Sequence, residues 1–103
     1  MKTKTEITVD SIFDRILEDD ELREKNGKDF QMVRHYYNRK DQGAVEIDDE
    51  NMITVNVNGG KIEIDRYRDG FAFAFTEPKS IEEAYTNVIY FIMSGRLPDE
   101  EAI

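Results

Sequence analysis

Few residues in this sequence have the types and spacing that catalysis or metal binding needs. The single histidine, His35, has no carboxylate or nucleophile three or four positions away, where a helical partner for a general base would stand. We therefore expect a surface or hydrogen-bonded histidine. The chain has no cysteine, which excludes both a disulfide and a thiolate metal site.

Two short segments resemble ligand-binding loops only in composition. Asp48-Asp49-Glu50 places its acids consecutively, whereas an EF-hand loop needs them at alternating positions with a glycine and a glutamate further on. Asn58-Gly59-Gly60 is not followed by a Lys-Ser or Lys-Thr pair and leads into a strand pattern, so it predicts a turn. We expect no cofactor, no metal and no enzymatic activity. A pocket containing Glu63, Asp65 and Tyr67 with perturbed titration would favour an enzyme instead.

The elements that would position such residues fit one domain, residues 1–103. No apolar stretch follows the basic N-terminus, and the longest apolar run, 88–93, is far shorter than the ~20 residues of a membrane helix. We expect a cytoplasmic protein without a membrane segment.

Local patterns predict an α+β fold, with N-terminal helices, a three- or four-stranded antiparallel β-meander, and a C-terminal helix packed on one sheet face. Asp10 predicts the cap of a first helix that ends at Asn26-Gly27, with a break within 18–21 where four acids repel each other. The spacing of apolar residues predicts a second helix over 29–39. Residues 44–47 fit either an edge strand or a loop.

Three alternating runs, 52–57, 61–67 and 71–76, define the meander. Two-residue turns at Asn58-Gly59 and Asp69-Gly70 would place Val55 opposite Ile62 and Ile64 opposite Phe75. Both hairpins then predict the same apolar inner face: Ile53, Val55, Val57, Ile62, Ile64, Phe71, Phe73 and Phe75. Arg66 and Arg68 follow the same parity, so they either project past the core or pair with the acidic N-terminal helix.

The opposite face of the meander is the outer face. Its predicted residues are Thr54, Asn56, Lys61, Glu63, Asp65, Tyr67, Ala72 and Ala74. Tyrosine beside charged residues over a floor of alanines is typical of a protein interface, although an ordinary polar sheet face is the alternative.

The third helix begins with the capping-box pattern at Ser80 and ends at Gly95. Ile81, Ala84, Tyr85, Val88 and Ile92 are its predicted inward stripe. Residues 89–93 are apolar on nearly every side. Either the N-terminal helices cover this end or a partner chain does, so a homodimer through the third helix is an alternative.

Negative charge is concentrated in two segments. The net charge is −9, and residues 10–26 and 44–51 each contribute −4, whereas 28–43 contribute +2. Nucleic-acid phosphates are bound by Lys and Arg, so we expect a basic protein surface as the partner and no direct binding of nucleic acid. The candidate partner-binding residues are Asp14, Glu18, Asp19, Asp20, Glu21, Asp48, Asp49, Glu50, Glu63, Asp65 and Tyr67.

In size, charge and element order, most of the chain resembles the compact acidic anti-CRISPR proteins of phages and mobile elements. The resemblance implies a non-enzymatic inhibitor in the bacterial host cell that acts as a DNA mimic and occupies the DNA-reading surface of a Cas nuclease. Bacterial immunity proteins and antitoxins share the same profile and are one alternative. A self-associating regulatory module is the other.

Overall fold

The computed structural model of the chain describes residues 6–98 and 100. Its helices are α1 (Val9–Leu17), α2 (Asp20–Lys25), a short 3-10 helix (Tyr36–Asn38) and α3 (Ile81–Ser94). Its strands are β1 (Gln31–Val33), β2 (Gln42–Glu46), β3 (Asn51–Asn58), β4 (Lys61–Arg68) and β5 (Phe71–Thr76).

The strands form one antiparallel sheet in chain order, β1-β2-β3-β4-β5. The predicted α+β class is confirmed, but the sheet has five strands and not three or four. The segment at 44–47, left open between strand and loop, lies in β2 as far as Glu46. It is an interior strand, because Val45 pairs with Met32 of β1 on one side and with Ile53 of β3 on the other.

The second helix predicted over 29–39 is wrong. That segment instead forms β1 and the 3-10 helix, and it cannot continue as an α-helix because Tyr37 and Asn38 have φ angles of 56° and 61°. The spacing of its apolar residues fits a helix and a short strand about equally well. Pairing with β2, a long-range interaction, decides between them.

The N-terminal helices divide where the acidic run predicted a break. Thr8, and not Asp10, caps α1, with its hydroxyl accepting from the Ser11 amide at 2.9 Å and its own amide donating to the Ser11 hydroxyl at 2.8 Å. Asp19 then caps α2 by accepting from the amides of Glu21 and Leu22. Each new helix start is thus stabilised by a side chain just before it.

The inner face of β3 and β4 matches the prediction although the register does not. The turn is at Gly59-Gly60, whose φ angles of 60° and 79° suit a type I′ hairpin, so Val57 faces Ile62 and Val55 faces Ile64. This register differs by two residues from the predicted one. A shift of two leaves every side chain on its face, and the predicted side chains of β3 and β4 are buried.

A β-bulge in β5 overturns part of the predicted inner face. Tyr67 pairs with Ala72 but Arg66 pairs with Ala74, so Phe73 is an extra residue and the strand changes parity there. Phe75 consequently lies opposite Asp65 on the outer face, where it is 64% exposed. Ala74, predicted to be on the outer face, lies opposite Arg66 instead. Phe71 lies beyond the core and is 76% exposed.

Helices α1 and α3 pack on the inner face. Phe13 and Val9 of α1 lie directly over Gly43 of β2, where a Cβ would come within 2.6 Å of the Phe13 ring. The predicted limits of α3 are confirmed, since Ser80 caps it and Gly95 ends it with a φ of 78°. The buried residues of α3 are Ala84, Asn87, Val88 and Phe91, a stripe rotated from the predicted one.

Arg66 lies fully inside the fold, with 1% of its surface exposed, contrary to both predicted alternatives. Its guanidinium lies 5.1 Å from the ring centroids of Phe73 and Phe91, with its Nε 3.3 Å from Glu100 Oε1. This ion pair lacks hydrogen-bond geometry at Nε. The terminal nitrogens donate to Asn51 Oδ1 at 2.6 Å, to the Gly95 carbonyl at 2.9 Å and to the Tyr67 carbonyl. Arg66 therefore ties the end of α3 to the sheet.

Candidate functional site on the outer face of the sheet

The outer face of the sheet lies opposite α1 and α3. Strand register places on it Val33, Gln42, Ala44, Glu46, Met52, Thr54, Asn56, Lys61, Glu63, Asp65, Tyr67, Ala72 and Phe75. Ala44 and Thr54 at its centre are buried. The predicted outer residues of β3 and β4 are therefore correctly assigned, and β2 and Phe75 extend the face.

Tyr36 belongs to the 3-10 helix, which contacts strand β2. The pKa of its hydroxyl is raised by a hydrogen bond with Tyr37, by desolvation, and by the charges of Tyr37, Glu46 and Tyr67. Glu46 and Tyr67 are outer-face residues, so the pKa of Tyr36 responds to charges on that face. The neighbouring Tyr37 ring, 4.4 Å away between centroids, is 79% exposed. Because residues 29–39 were predicted as a helix, the 3-10 turn that exposes Tyr37 was not expected.

A network of polar side chains crosses the three central strands. Gln42 donates to Asn56 Oδ1 at 2.8 Å, and Asn56 Nδ2 lies 3.3 Å from Asp65 Oδ2 and 3.0 Å from Thr54 Oγ1. The same Nδ2 donates to the Glu63 backbone carbonyl at 3.1 Å. Asn56 thus holds one side of the Asp65 carboxyl.

Glu63 and Asp65 form a carboxyl pair, two positions apart on β4. Desolvation, a hydrogen bond with Glu63 and the charge of Glu63 raise the pKa of Asp65 from 3.8 to about 7. Asp65 therefore titrates near neutral pH, and a cation that approached the pair would favour its ionised form.

An open cavity of about 450 Å³ adjoins the carboxyl pair. It is lined by Arg39, Asp41, Asn56, Val57, Asn58, Lys61, Ile62, Glu63, Asp65 and Glu77. Tyr67, which the enzyme alternative required, is not among these residues. A larger hollow of about 540 Å³ lies at the start of α1 and shares Asp41 and Val57 with this cavity, but neither Glu63 nor Asp65 lines it.

The acids predicted on the N-terminal helices are largely engaged within the chain. Arg34 pairs with Asp14 at 2.5 Å, Arg23 with Asp20 at 2.6 Å, and Lys25 with Glu21 at 3.0 Å. Asp19 accepts from the Tyr85 hydroxyl at 2.8 Å in addition to capping α2. Glu18 is exposed and makes no ion pair with any described residue. Because α1 packs on the inner face, this group lies apart from Glu63, Asp65 and Tyr67.

The second predicted acidic group forms the turn between β2 and β3. Asp48 accepts from the backbone amides of Glu50 and Asn51, both at 2.8 Å, and its pKa is lowered, first by the Asn51 side chain. Asp49 and Glu50 are exposed and make no ion pair within residues 6–98 and 100. The Glu50 carbonyl accepts from the Asp69 amide at 2.8 Å, so this turn adjoins the β4-β5 turn.

His35 has a carboxylate partner that local spacing could not reveal. Its Nε2 lies 3.3 Å from Asp10 Oδ2 of α1, which also pairs with Arg34 at 3.0 Å. His35 is therefore a hydrogen-bonded surface histidine, in agreement with the prediction. Among the described residues, no group of three or more His, Cys, Asp and Glu side chains is placed to hold a metal ion.

Comparison with protein-family models, with curated proteins and with solved structures finds no match to this chain. Within the described part of the chain, none of the helices combines the length and the apolar character needed to cross a membrane. The function is therefore inferred from the surfaces of the fold.

Proposed function

We propose that this protein is a non-enzymatic inhibitor that binds a basic, nucleic-acid-binding surface of a partner protein through the outer face of its sheet. The observation that supports this function best is the pairing of Phe75, 64% exposed, with Asp65 of the carboxyl pair. A large exposed aromatic ring beside two carboxyls suits a lysine or arginine side chain, which would contact both the ring face and the negative charge.

The rest of the outer face has the composition of an interface. Tyr37 is 79% exposed, and Tyr67 is half-buried between the polar residues of β4 and β3. Tyrosine and arginine are enriched at protein interfaces, and apolar area that stays exposed in the free protein is removed from water on binding. The net charge of −9 would accelerate association with a basic partner.

The acids of the two other groups contribute unequally to this proposal. Asp14, Asp20 and Glu21 are already paired with cations of the same chain. These acids could take the place of nucleic-acid phosphates on the partner only if those ion pairs broke. Asp49 and Glu50 have no ion pair to break among the described residues, and they form a second surface for a basic partner. The proposal therefore relies on the sheet face and on the β2-β3 turn.

The partner class that fits this chemistry is an RNA-guided Cas nuclease, which holds nucleic acid in a positively charged channel. An acidic protein in that channel would compete with DNA in the manner of anti-CRISPR proteins. A basic toxin bound by an immunity protein or antitoxin presents similar chemistry and remains the alternative. Self-association through α3 has less support, because Phe91 is buried and Ile89 and Ile92 are half-buried.

The test is a competition experiment with a purified Cas nuclease, its guide RNA and a fluorescent target DNA. We expect the chain to displace DNA at about 0.05 M salt and to do so much less at about 0.3 M salt, since the Debye length falls from roughly 14 Å to roughly 6 Å. Basic proteins eluted from heparin and offered to the immobilised chain extend the test beyond one nuclease.

Two double variants that each replace two carboxyls by amides locate the surface. Glu63→Gln with Asp65→Asn should weaken competition about tenfold or more, corresponding to at least about 1.4 kcal/mol. Asp20→Asn with Glu21→Gln removes two exposed acids from α2 and should have little effect. Equal losses in both variants, or binding that ignores salt, would contradict the proposal.

A further inference from the structure

Strand β5 is an edge of the sheet with an unusual composition. It pairs with β4 on one side, and no other described strand lies beside it. Its sequence, Phe-Ala-Phe-Ala-Phe-Thr, contains no charge and no proline. No hydrogen bond joins its outward backbone groups to another described residue. Such an edge is a ready template for a further strand.

Natural proteins usually protect edge strands with charges, prolines or a covering element. Phe71 and Phe75 are 76% and 64% exposed, and Ala72 is exposed between them. The bulge at Phe73 disturbs the pairing locally, but Ala74 and Phe75 pair regularly with Arg66 and Asp65 beyond it. By contrast, the opposite edge strand, β1, has only three residues.

We propose that β5 receives an extended, basic segment of the partner protein, which adds to the sheet as a sixth strand. This inference rests on the proposed function and specifies how the partner is held. Main-chain hydrogen bonds to β5 would supply affinity, and alternate side chains of the added strand would supply specificity.

Charge complementarity selects a basic occupant. Strands lie about 4.8 Å apart, so an outward arginine of the added strand would lie beside Phe75 and within reach of Asp65 on the next strand. Cation–π contact with the ring and attraction to the carboxyl pair would act on the same guanidinium. A second copy of this chain would instead bring another −9 charge and another carboxyl pair to the same edge.

The probe is a fluorescent eight-residue peptide of alternating arginine and valine, tested with two backbone-methylated forms. One form is N-methylated at every arginine and the other at every valine. In an added strand, the amides of alternate residues point toward β5 and the others point to solvent. We expect one methylated form to bind like the parent peptide and the other to bind at least about tenfold more weakly, because several hydrogen bonds are lost.

Hydrogen exchange and two variants locate the contact. The parent peptide should slow amide exchange in β5 and leave β1 unchanged. Phe75→Ala should weaken peptide binding, whereas Tyr90→Ala, at an aromatic of α3 that is 45% exposed, should not. A peptide of alternating glutamate and valine should not bind.

Three outcomes would overturn strand addition. Equal binding of both methylated forms would mean attraction by charge alone. Failure of the arginine-valine peptide to bind, with salt-dependent competition for DNA retained, would remove strand addition and leave the proposed function standing. A dimer that Ala72→Lys abolishes would make a second copy the occupant. Strand addition without any competition for DNA would instead remove the inhibitor function.

Discussion

At the scale of single residues, Asp65 is unusual because its folded environment favours the protonated form. The pKa is about 7 in the fold against an ordinary value of 3.8, so the folded chain binds more protons than the unfolded chain between these values. The contribution of Asp65 to stability is then fully present at low pH and is lost as the pH rises through this window, with the full cost present above about 7.

Asp65→Asn tests this titration. Asparagine resembles the protonated carboxyl and does not ionise, so the variant should be more stable than the wild type at pH 8, by a larger margin than at pH 5. Thermal unfolding at the two pH values measures the difference. Asp49→Asn, at an exposed turn position, is the control, and its stability relative to the wild type should change little between the two pH values. A stability gain that does not grow with pH would contradict the assignment.

Arg66 is the second residue whose stabilising role depends on its buried position in the fold. Arg66→Met would leave Glu100, whose side chain is 5% exposed, without its cation, and would remove donors from Asn51 and the Gly95 carbonyl. Breaking a buried pair costs roughly 3–5 kcal/mol, and we expect a loss in this range in urea unfolding.

A double variant and a neighbour separate charge from packing at Arg66. Adding Glu100→Gln to Arg66→Met should recover part of the loss, because the uncompensated carboxylate disappears. Arg68→Met, at an exposed arginine 4.9 Å from the Phe73 ring, should cost far less. Comparable losses at the two arginines would contradict the role of the buried ion pair.

At the scale of elements, the contact between α1 and β2 depends on a missing side chain. Gly43 lies under the Phe13 ring, and an added Cβ would come within 2.6 Å of Phe13 Cζ and 3.0 Å of Val9 Cγ1. We expect Gly43→Ala to destabilise the fold by about 1–3 kcal/mol through overpacking.

Phe13→Leu in the same chain should relieve part of this cost, since leucine lacks the atoms that the new Cβ meets. Chemical denaturation of the two single variants and the double variant measures the coupling. If the stability losses of the two single variants simply added in the double variant, a direct steric contact between residue 43 and Phe13 would be contradicted.

The elements differ in how far the sequence predicts them. Ser80 and Gly95 mark the two ends of α3 locally, and the acidic run marks the break between α1 and α2. The segment over 29–39 was wrongly predicted as a helix, because its strand exists only through pairing with β2. The bulge at Phe73 likewise leaves the alternation of β5 intact in the sequence while reversing which face Phe75 occupies.

At the scale of the whole molecule, charge and surface predict a monomer. Each chain carries −9, and the apolar end of α3 is mostly packed in the core, with Tyr90 and Met93 as its exposed large side chains. Light scattering should therefore report one chain of 12.1 kDa at both low and high salt. A dimer that becomes a monomer in Tyr90→Ala with Met93→Ala would instead support self-association through α3.

The candidate site was predicted only in part at this scale. Glu63, Asp65 and Tyr67 were assigned to the correct face because alternation is a local property of β4. Gln42 and Phe75 joined that face through long-range pairing, which left no local pattern. The predicted acids Asp14, Asp20 and Glu21 found cations within the chain, so a charge count overstated their availability.

The sequence alone determined the features that depend on neighbours a few residues apart. These are the faces of β3 and β4, the turn at Asp69-Gly70 and the limits of α3, because side-chain alternation and capping act locally. Only the tertiary structure decided the presence of strand β1, the outward position of Phe75, the burial of Arg66 and the pairing of the helix acids. Each depends on residues far apart in the chain, whose packing and electrostatics outweigh local preference.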